Sequence, residues 1–177
     1  MTSTVVDPYA DYRSGSTEPE TVAVICALIR ALDAKFIVET GTYEARTTEA
    51  IAKSLRAGHI LTIEADKDRA YAAAQKVETW RCDGNVGVEV WHSDALVALR
   101  GMGDNSVDFI FVDDHHEAKH VALEARECLR ILRPGGVACF HDVIGPFGLD
   151  AVVLAAGGFV LPFKRLHAAG GLGCLIK

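Results

Sequence analysis

The stretch Phe36-Ile-Val-Glu-Thr-Gly-Thr-Tyr-Glu-Ala-Arg-Thr-Thr-Glu-Ala-Ile-Ala52 decides how the chain is read. Its first residues are aromatic or β-branched and suit a buried strand, while apolar residues recur at helical spacing from about Thr47. Between the two stand Glu39, Gly41 and Glu44. A glycine at a strand tip lets the backbone turn sharply or pass close to another chain segment. The neighbouring carboxylates repel a phosphate. A pyrophosphate site would also want G-x-G-x-x-G so that backbone amides can approach it, and Gly41-Thr-Tyr-Glu-Ala-Arg-Thr47 holds only the first glycine. The loop therefore disfavours a phosphate or pyrophosphate ligand.

Outward from this loop, strand-like and helical stretches alternate. Thr21 to Leu32 reads as a helix, with Glu18 and Pro19 at its start. Phe36–Glu39 is followed by a helix from Thr47 to Leu55, and His59–Glu64 by one from Lys67 to Trp80. Val88–His92 precedes a short helix at Ala95–Leu99, Val107–Val112 precedes a helix from Glu117 to Leu132, and Gly136–Phe140 follows the turn signal Arg133-Pro-Gly-Gly136. Such alternation implies an α/β fold, a parallel sheet wound on both faces by helices. A helical piece at Leu149–Ala156 leads to two further strand-like runs, Phe163–His167 and Leu172–Ile176, joined by Ala168-Ala-Gly-Gly171. Those glycines allow a hairpin turn, so the last strand is expected to run antiparallel. Residues 1–19 are polar with little periodicity and read as a flexible arm, leaving 20–177 as a single domain.

Composition narrows the function. With 177 residues and 50% hydrophobic content the chain suits one core. A net charge of −6, with 18 Lys and Arg spread along the chain, provides no basic stripe and disfavours nucleic acid as a partner. The five cysteines, Cys26, Cys82, Cys128, Cys139 and Cys174, are odd in number and widely spaced, as buried thiols of a reducing compartment are. No apolar run reaches the roughly 18 residues of a membrane span, and the polar start lacks the order of a signal peptide. A cytoplasmic protein with no membrane partner is expected. The apolar C-terminus and a pairable edge strand allow a homodimer.

The strand ends carry the chemistry. They hold Glu39 with Gly41, Glu64 with Asp66, Ser93 with Asp94, Asp113 with Asp114, and His141 with Asp142. Each is polar or acidic after an apolar run, which marks a functional edge, since open parallel sheets bind ligands beyond their carboxyl ends. The plainer reading is that strand ends are where the chain meets water. Glu64 lies 23 positions beyond Gly41, near the spacing of about 20 at which an acid accepts from ribose hydroxyls.

In order and spacing, VETGTYEARTT, LTIEAD, HSDA, DFIFVDDHHE and LRPGGVACFHDV resemble the successive motifs of class I S-adenosylmethionine-dependent methyltransferases. Within that class the chain is most similar to small O-methyltransferases of the catechol and macrolide-sugar kinds, a group that includes cephalosporin hydroxylase-like proteins. The resemblance implies a Rossmann-like, doubly wound sheet of about seven strands, mostly parallel with an antiparallel C-terminal strand. It also implies that Glu39, Gly41, Thr42 and Tyr43 meet the methionine part of the cofactor, that Glu64 holds its ribose, and that Ser93 and Asp94 border its adenine. Asp113 would lie near the sulfonium. The expected reaction is methyl transfer to a hydroxyl of a small-molecule acceptor. Rival readings are transfer to nitrogen or to a macromolecule, and a non-catalytic cofactor-binding module.

Two departures from the family pattern are visible. Ala45 stands where a second glycine is usual, which strains the loop if its φ is positive. Glu44 adds negative charge, which the nearby Arg46 can offset. In the relatives that need a divalent cation, its ligands stand where this chain has Asp113, His141 and Asp142, so the resemblance implies a cation site there or, at His141, no ligand at all. Oxygen ligands would suit Mg²⁺, whereas His141 opens the site to Mn²⁺, Fe²⁺ or Zn²⁺. Asp113, Asp114 and His116 are the candidate catalytic residues, with His116 or Asp114 as general base. His115 and His116, being adjacent, are expected to point opposite ways rather than chelate one ion, and His120 reads as a surface neighbour. Of the two tryptophans, Trp91 is the better placed to border adenine or substrate, against a reading as core packing, and Cys139 is expected to be a core thiol.

Overall fold

A computed structural model describes residues 16–80, 85–146, 148–163 and 170–177. Among these, seven strands form one sheet: β1 (Phe36–Thr40), β2 (Gly58–Glu64), β3 (Val86–His92), β4 (Val107–Val112), β5 (Leu132–His141), β6 (Phe159–Leu161) and β7 (Leu172–Ile176). Their order is β3-β2-β1-β4-β5-β7-β6. From β1 the chain steps outward to β2 and β3, then returns to lay β4 along the other side of β1. The reversal opens a crevice between the carboxyl ends of β1 and β4, where open α/β sheets take their ligands.

Six helices cover the sheet: α1 (Pro19–Ala31), α2 (Arg46–Ser54), α3 (Lys67–Glu78), α4 (Ala95–Gly101), α5 (Ala118–Ile131) and α6 (Leu149–Ala155). Neighbouring residues of a strand point to opposite faces, so each central strand feeds two cores. Ile37, Ile60 and Phe109 pack with Ile25, Ile29 and Ile51 of α1 and α2. Val38, Leu61 and Ile110 pack with Leu99 of α4, Val121 and Cys128 of α5, and Val153 of α6. All six residues of β4 are buried, which is why the run Val107–Val112 is apolar without alternation. The edge strand β3 alternates instead, with Glu89 and Trp91 exposed.

The C-terminal end differs from the sequence expectation in one place. β7 runs antiparallel to β5 and β6, as the hairpin signal implies. The strand before it is Phe159–Leu161, upstream of the expected Phe163–His167; Phe163 is in no strand, and 164–169 lie outside the described residues. Periodicity separates poorly here, because a three-residue strand carries almost no pattern. Arg133-Pro-Gly-Gly136 also belongs to β5 rather than preceding it. The β4–β5 register shifts there, Val107 facing Leu132 and Phe109 facing Val137. The backbone of Gly135 and Gly136 pairs with Lys177 instead.

Cys26, Cys128, Cys139 and Cys174 are buried and free, and Cys82 lies outside the described residues. Cys139 and Cys174 face each other across β5 and β7 with Sγ atoms 3.7 Å apart. Burial and the neighbouring sulfur push the Cys139 thiol up, so it is an inert core thiol. No described helix is long and apolar enough to cross a membrane.

Candidate active site at the carboxyl ends of the strands

The loop from β1 to α2 is built by unusual backbone angles. Gly41, Tyr43 and Ala45 have φ of 85°, 46° and 56°, three left-handed residues within five positions. Gly41 is irreplaceable for a further reason: a Cβ there would stand 2.1 Å from the carbonyl oxygen of Asp113. The tip of β4 passes so close that only a glycine fits at the crevice wall. Ala45 is buried, in the left-handed region, and caps the start of α2. For an L-residue this conformation costs about 1–2 kcal/mol, the strain that a second glycine would relieve. Arg46 pairs with Glu44 at 3.0 Å; both side chains are substantially exposed, so the pair adds little stability and mainly balances local charge.

At the tip of β2, the Glu64 carboxylate accepts the backbone N–H of Tyr43 at 2.8 Å and that of Asp66 at 3.0 Å. Each oxygen keeps a second lone pair. Asp66 accepts from the N–H groups of Asp68 and Arg69, and Asp94 from that of Val97, so both acids cap helices as well as edging the cavity. Ser93 donates to the Asp94 carbonyl. The Arg69 guanidinium lies 5.2 Å from the centre of the Tyr43 ring and fixes that side chain at the rim.

Between β4 and β5, carboxylates surround one imidazole. His141 Nδ1 is 2.9 Å from Asp113 Oδ1, and its Nε2 is 2.6 Å from Glu18 Oε2. With a carboxylate on each nitrogen the ring is doubly protonated. Burial opposes that charge, but the hydrogen bonds to Asp113 and Glu18 and the charges of Asp113 and Asp142 outweigh it, pushing the imidazole up to about 10. Burial likewise raises the Glu18 carboxyl, yet His141 holds it below its usual value. Thr17 donates to Asp113 Oδ2 at 2.8 Å and Thr47 donates to Thr17. Asp142 Oδ2 lies 3.6 Å from His141 Nδ1 and 3.4 Å from His116 Nε2.

These groups line a cavity of about 610 Å³, together with Gly41, Thr42, Tyr43, Glu64, Ser93 and Asp94. Eight carboxylates face two guanidinium groups on its walls, a balance that favours a cationic ligand over a phosphate.

Most of the expected residues thus meet in one place. Asp113, Asp114, His116, His141 and Asp142 converge on the cavity. Glu39 stands behind the loop instead: it is buried, absent from the cavity wall, and accepts hydroxyls from Thr48 and, at 2.7 Å, Thr62. Burial pushes its carboxyl up to about 7 although both hydroxyls pull it down. Trp91 is also off the wall; its indole N–H donates to Glu89 on the outer face of β3.

Glu18, His141 and Asp142 bring donor atoms within 4.8 Å of one another, and Asp113 lies 2.9 Å from His141 Nδ1, so the residues expected to hold a cation are gathered in one place. His115 and His116 do point apart, His115 stacking on His120 at 4.5 Å and His116 facing Asp142. His120 is no surface neighbour, since its side chain is packed beside Glu124.

Thr17 and Glu18 are the functional residues that sequence reasoning assigned to the arm. Residues 1–15 of that arm lie outside the described residues. The signal available was Glu18-Pro19, which marks a helix start; α1 does begin there, but a helix-start signal says nothing of what the acid touches.

A family model described as a methyltransferase domain matches residues 38–143. No curated protein sequence matches the chain closely enough to count as a relative. Among solved structures, a Klebsiella pneumoniae protein assigned as an O-methyltransferase aligns with a TM-score of 0.73 and 23% identity over 92% of this chain and 81% of that one. An O-methyltransferase from Bacillus cereus in complex with SAH gives 0.72 and 19%, over 93% and 84%. An O-methyltransferase of Streptomyces achromogenes involved in tomaymycin synthesis, in complex with SAM, gives 0.70 and 21%, over 94% and 84%. At such identities these likenesses establish the fold.

Proposed function

The chain belongs to the methyltransferase-domain family, and on that premise we propose that it transfers a methyl group from S-adenosylmethionine to a hydroxyl of a small molecule. The observation that carries this is the acidic cavity at the β1/β4 crevice, with the Glu64 carboxylate on its wall. Its volume lies within the roughly 300–1,000 Å³ of small-molecule sites, enough for a nucleoside and a modest acceptor. When bound, S-adenosylmethionine supplies an electrophilic methyl on a sulfonium.

The residues divide the remaining work. The free lone pairs of Glu64 accept the ribose hydroxyls, and the backbone at Gly41, Thr42 and Tyr43 forms the floor for the methionine part. Ser93 and Asp94 border the adenine. Asp113 would place a negative charge beside the positive centre, and Thr17 and His141 hold its two oxygens in place. Transfer needs the acceptor oxygen about 3 Å from the methyl and opposite the leaving group, so positioning supplies most of the rate. His116, steered by Asp142 at 3.4 Å, takes the acceptor's proton. Asp113, His141 and Asp142, with Glu18 beside them, are the residues that would hold a divalent cation, which when bound would lower the pKa of the acceptor hydroxyl.

Calorimetric titration with S-adenosylhomocysteine tests the reading. Glu64→Ala should weaken binding by about 1.5–3 kcal/mol, the value of hydrogen bonds to a charged group. Unchanged affinity would remove Glu64 from the site and with it the proposed orientation. His116→Ala should retain that binding while losing turnover on any acceptor the wild type methylates; a fully active variant would strip His116 of its role as base.

A further inference from the structure

A second cluster lies one residue along from Asp113, outside the machinery assigned above. Glu124, in the middle of α5, is 0% exposed, and neither of its carboxylate oxygens has a hydrogen-bond partner. One turn earlier on the same helix, His120 turns its Nε2 toward it, 3.6 Å from Glu124 Oε1, and that nitrogen is also buried and unpartnered. Asp114, at the tip of β4, completes the set: Asp114, His120 and Glu124 bring one donor atom each within 4.8 Å of the others. Buried polar atoms in native proteins are almost always satisfied. Two of the three residues, His120 and Glu124, present orphaned atoms to one point, and these call for a missing partner.

The geometry of the neighbours fits a cation there. His120 and Glu124 are four apart on one helix face, the spacing at which two side chains share a ligand. The His120 ring is held by stacking on His115, and Asp114 Oδ1 accepts the Thr40 hydroxyl at 3.0 Å, so two of the three ligands are already oriented by outer contacts. Asp114 also lines the cavity, which gives an ion a way in.

We propose that Asp114, His120 and Glu124 form a divalent metal site, one imidazole nitrogen with two carboxylates, a donor set suited to Zn²⁺, Mn²⁺ or Fe²⁺ rather than Mg²⁺. The ion would tie α5 to the tip of β4 and fix the intervening segment that carries His115 and His116. The site stands whether or not the chain transfers methyl groups. It differs from the Glu18, His141 and Asp142 group, whose imidazole is already engaged on both nitrogens.

Metal-stripped protein titrated with Co²⁺, followed by its visible absorption, and with Zn²⁺, followed by thermal unfolding, tests this. The wild type should take up one equivalent, and Zn²⁺ at a hundredfold excess over its Kd should raise the Tm by about 5–10 °C. His120→Ala and the isosteric Glu124→Gln should each weaken uptake at least about 100-fold, while Glu18→Gln should leave it unchanged. Absence of a Co²⁺ spectrum in the wild type overturns the proposal. So does binding that survives both α5 substitutions and disappears in Glu18→Gln.

Discussion

Two buried carboxylate clusters flank the tip of β4, each built around a histidine, and they solve the problem of buried charge in opposite ways. On the β5 side, Glu18 and Asp113 each give an oxygen to a nitrogen of His141, so two carboxylates share one cation. On the α5 side, Glu124 and His120 stand 3.6 Å apart, and burial, with the charge of the Asp114 carboxylate and its hydrogen-bonding contact, pushes the Glu124 carboxyl up to about 9. The first cluster carries its own cation. The second must hold a proton or take in an ion. Desolvation is severe at both places, so what separates them is geometry: His141 ends a strand with carboxylates on two sides, whereas His120 and Glu124 share one helix and stand 3.6 Å apart.

Removing the cation from the first cluster should have the largest effect. His141→Ala leaves Glu18 and Asp113 buried without their counter-charge and should cost about 3–5 kcal/mol in urea unfolding at neutral pH; a loss below about 1 kcal/mol would show that the cluster is not ionised. In the second cluster the sign reverses. Glu124→Gln in metal-free protein removes a carboxyl that burial disfavours and should gain about 1–3 kcal/mol, and a comparable loss would mean that the carboxylate has a partner after all.

Titration sharpens the contrast further. The folded pKa of His141 is raised from 6.5 to about 10, so its contribution is fully present below pH 6.5 and is lost as the pH climbs toward 10. Stability of the wild type should therefore fall by about 1 kcal/mol per pH unit across that window relative to His141→Gln. Parallel curves for the two proteins would contradict an imidazolium. Glu18, held low by the same contact, acts in the other direction and should lose its contribution as the pH falls through its depressed value. The smallest effect is expected from Thr17→Val, which removes only the hydroxyl on Asp113 and should cost about 0.5–1.5 kcal/mol.

Much of the sheet was legible because its strands are apolar runs with polar ends. β1, β2, β3, β4 and β7 were each expected within two residues of where they lie, and the helices between them follow their own periodicity. Short or irregular pieces were less readable. β6 is too brief for a pattern, and the start of β5 hides a strand inside a glycine-proline turn. At the site, the acids at strand tips were expected because each follows an apolar run, and all but Glu39 line the cavity. Glu39 was found by the same logic, yet it faces two threonines behind the loop, since a residue's place at a strand tip does not fix which side of the loop its carboxylate takes.

By itself the sequence determined the alternation of buried strands and amphipathic helices, the acidic edge that results, and the glycine at position 41. Local chain chemistry is sufficient for these: side-chain periodicity, helix caps and backbone freedom act within a few residues of one another. Only the tertiary structure decided that Asp113's backbone makes that glycine obligatory, that Glu18 reaches His141 across 123 positions, and that Glu124 is buried beside Asp114 and His120. Each depends on groups distant along the chain being brought together out of water, where the energy of a charge is set by its neighbours in space rather than in sequence.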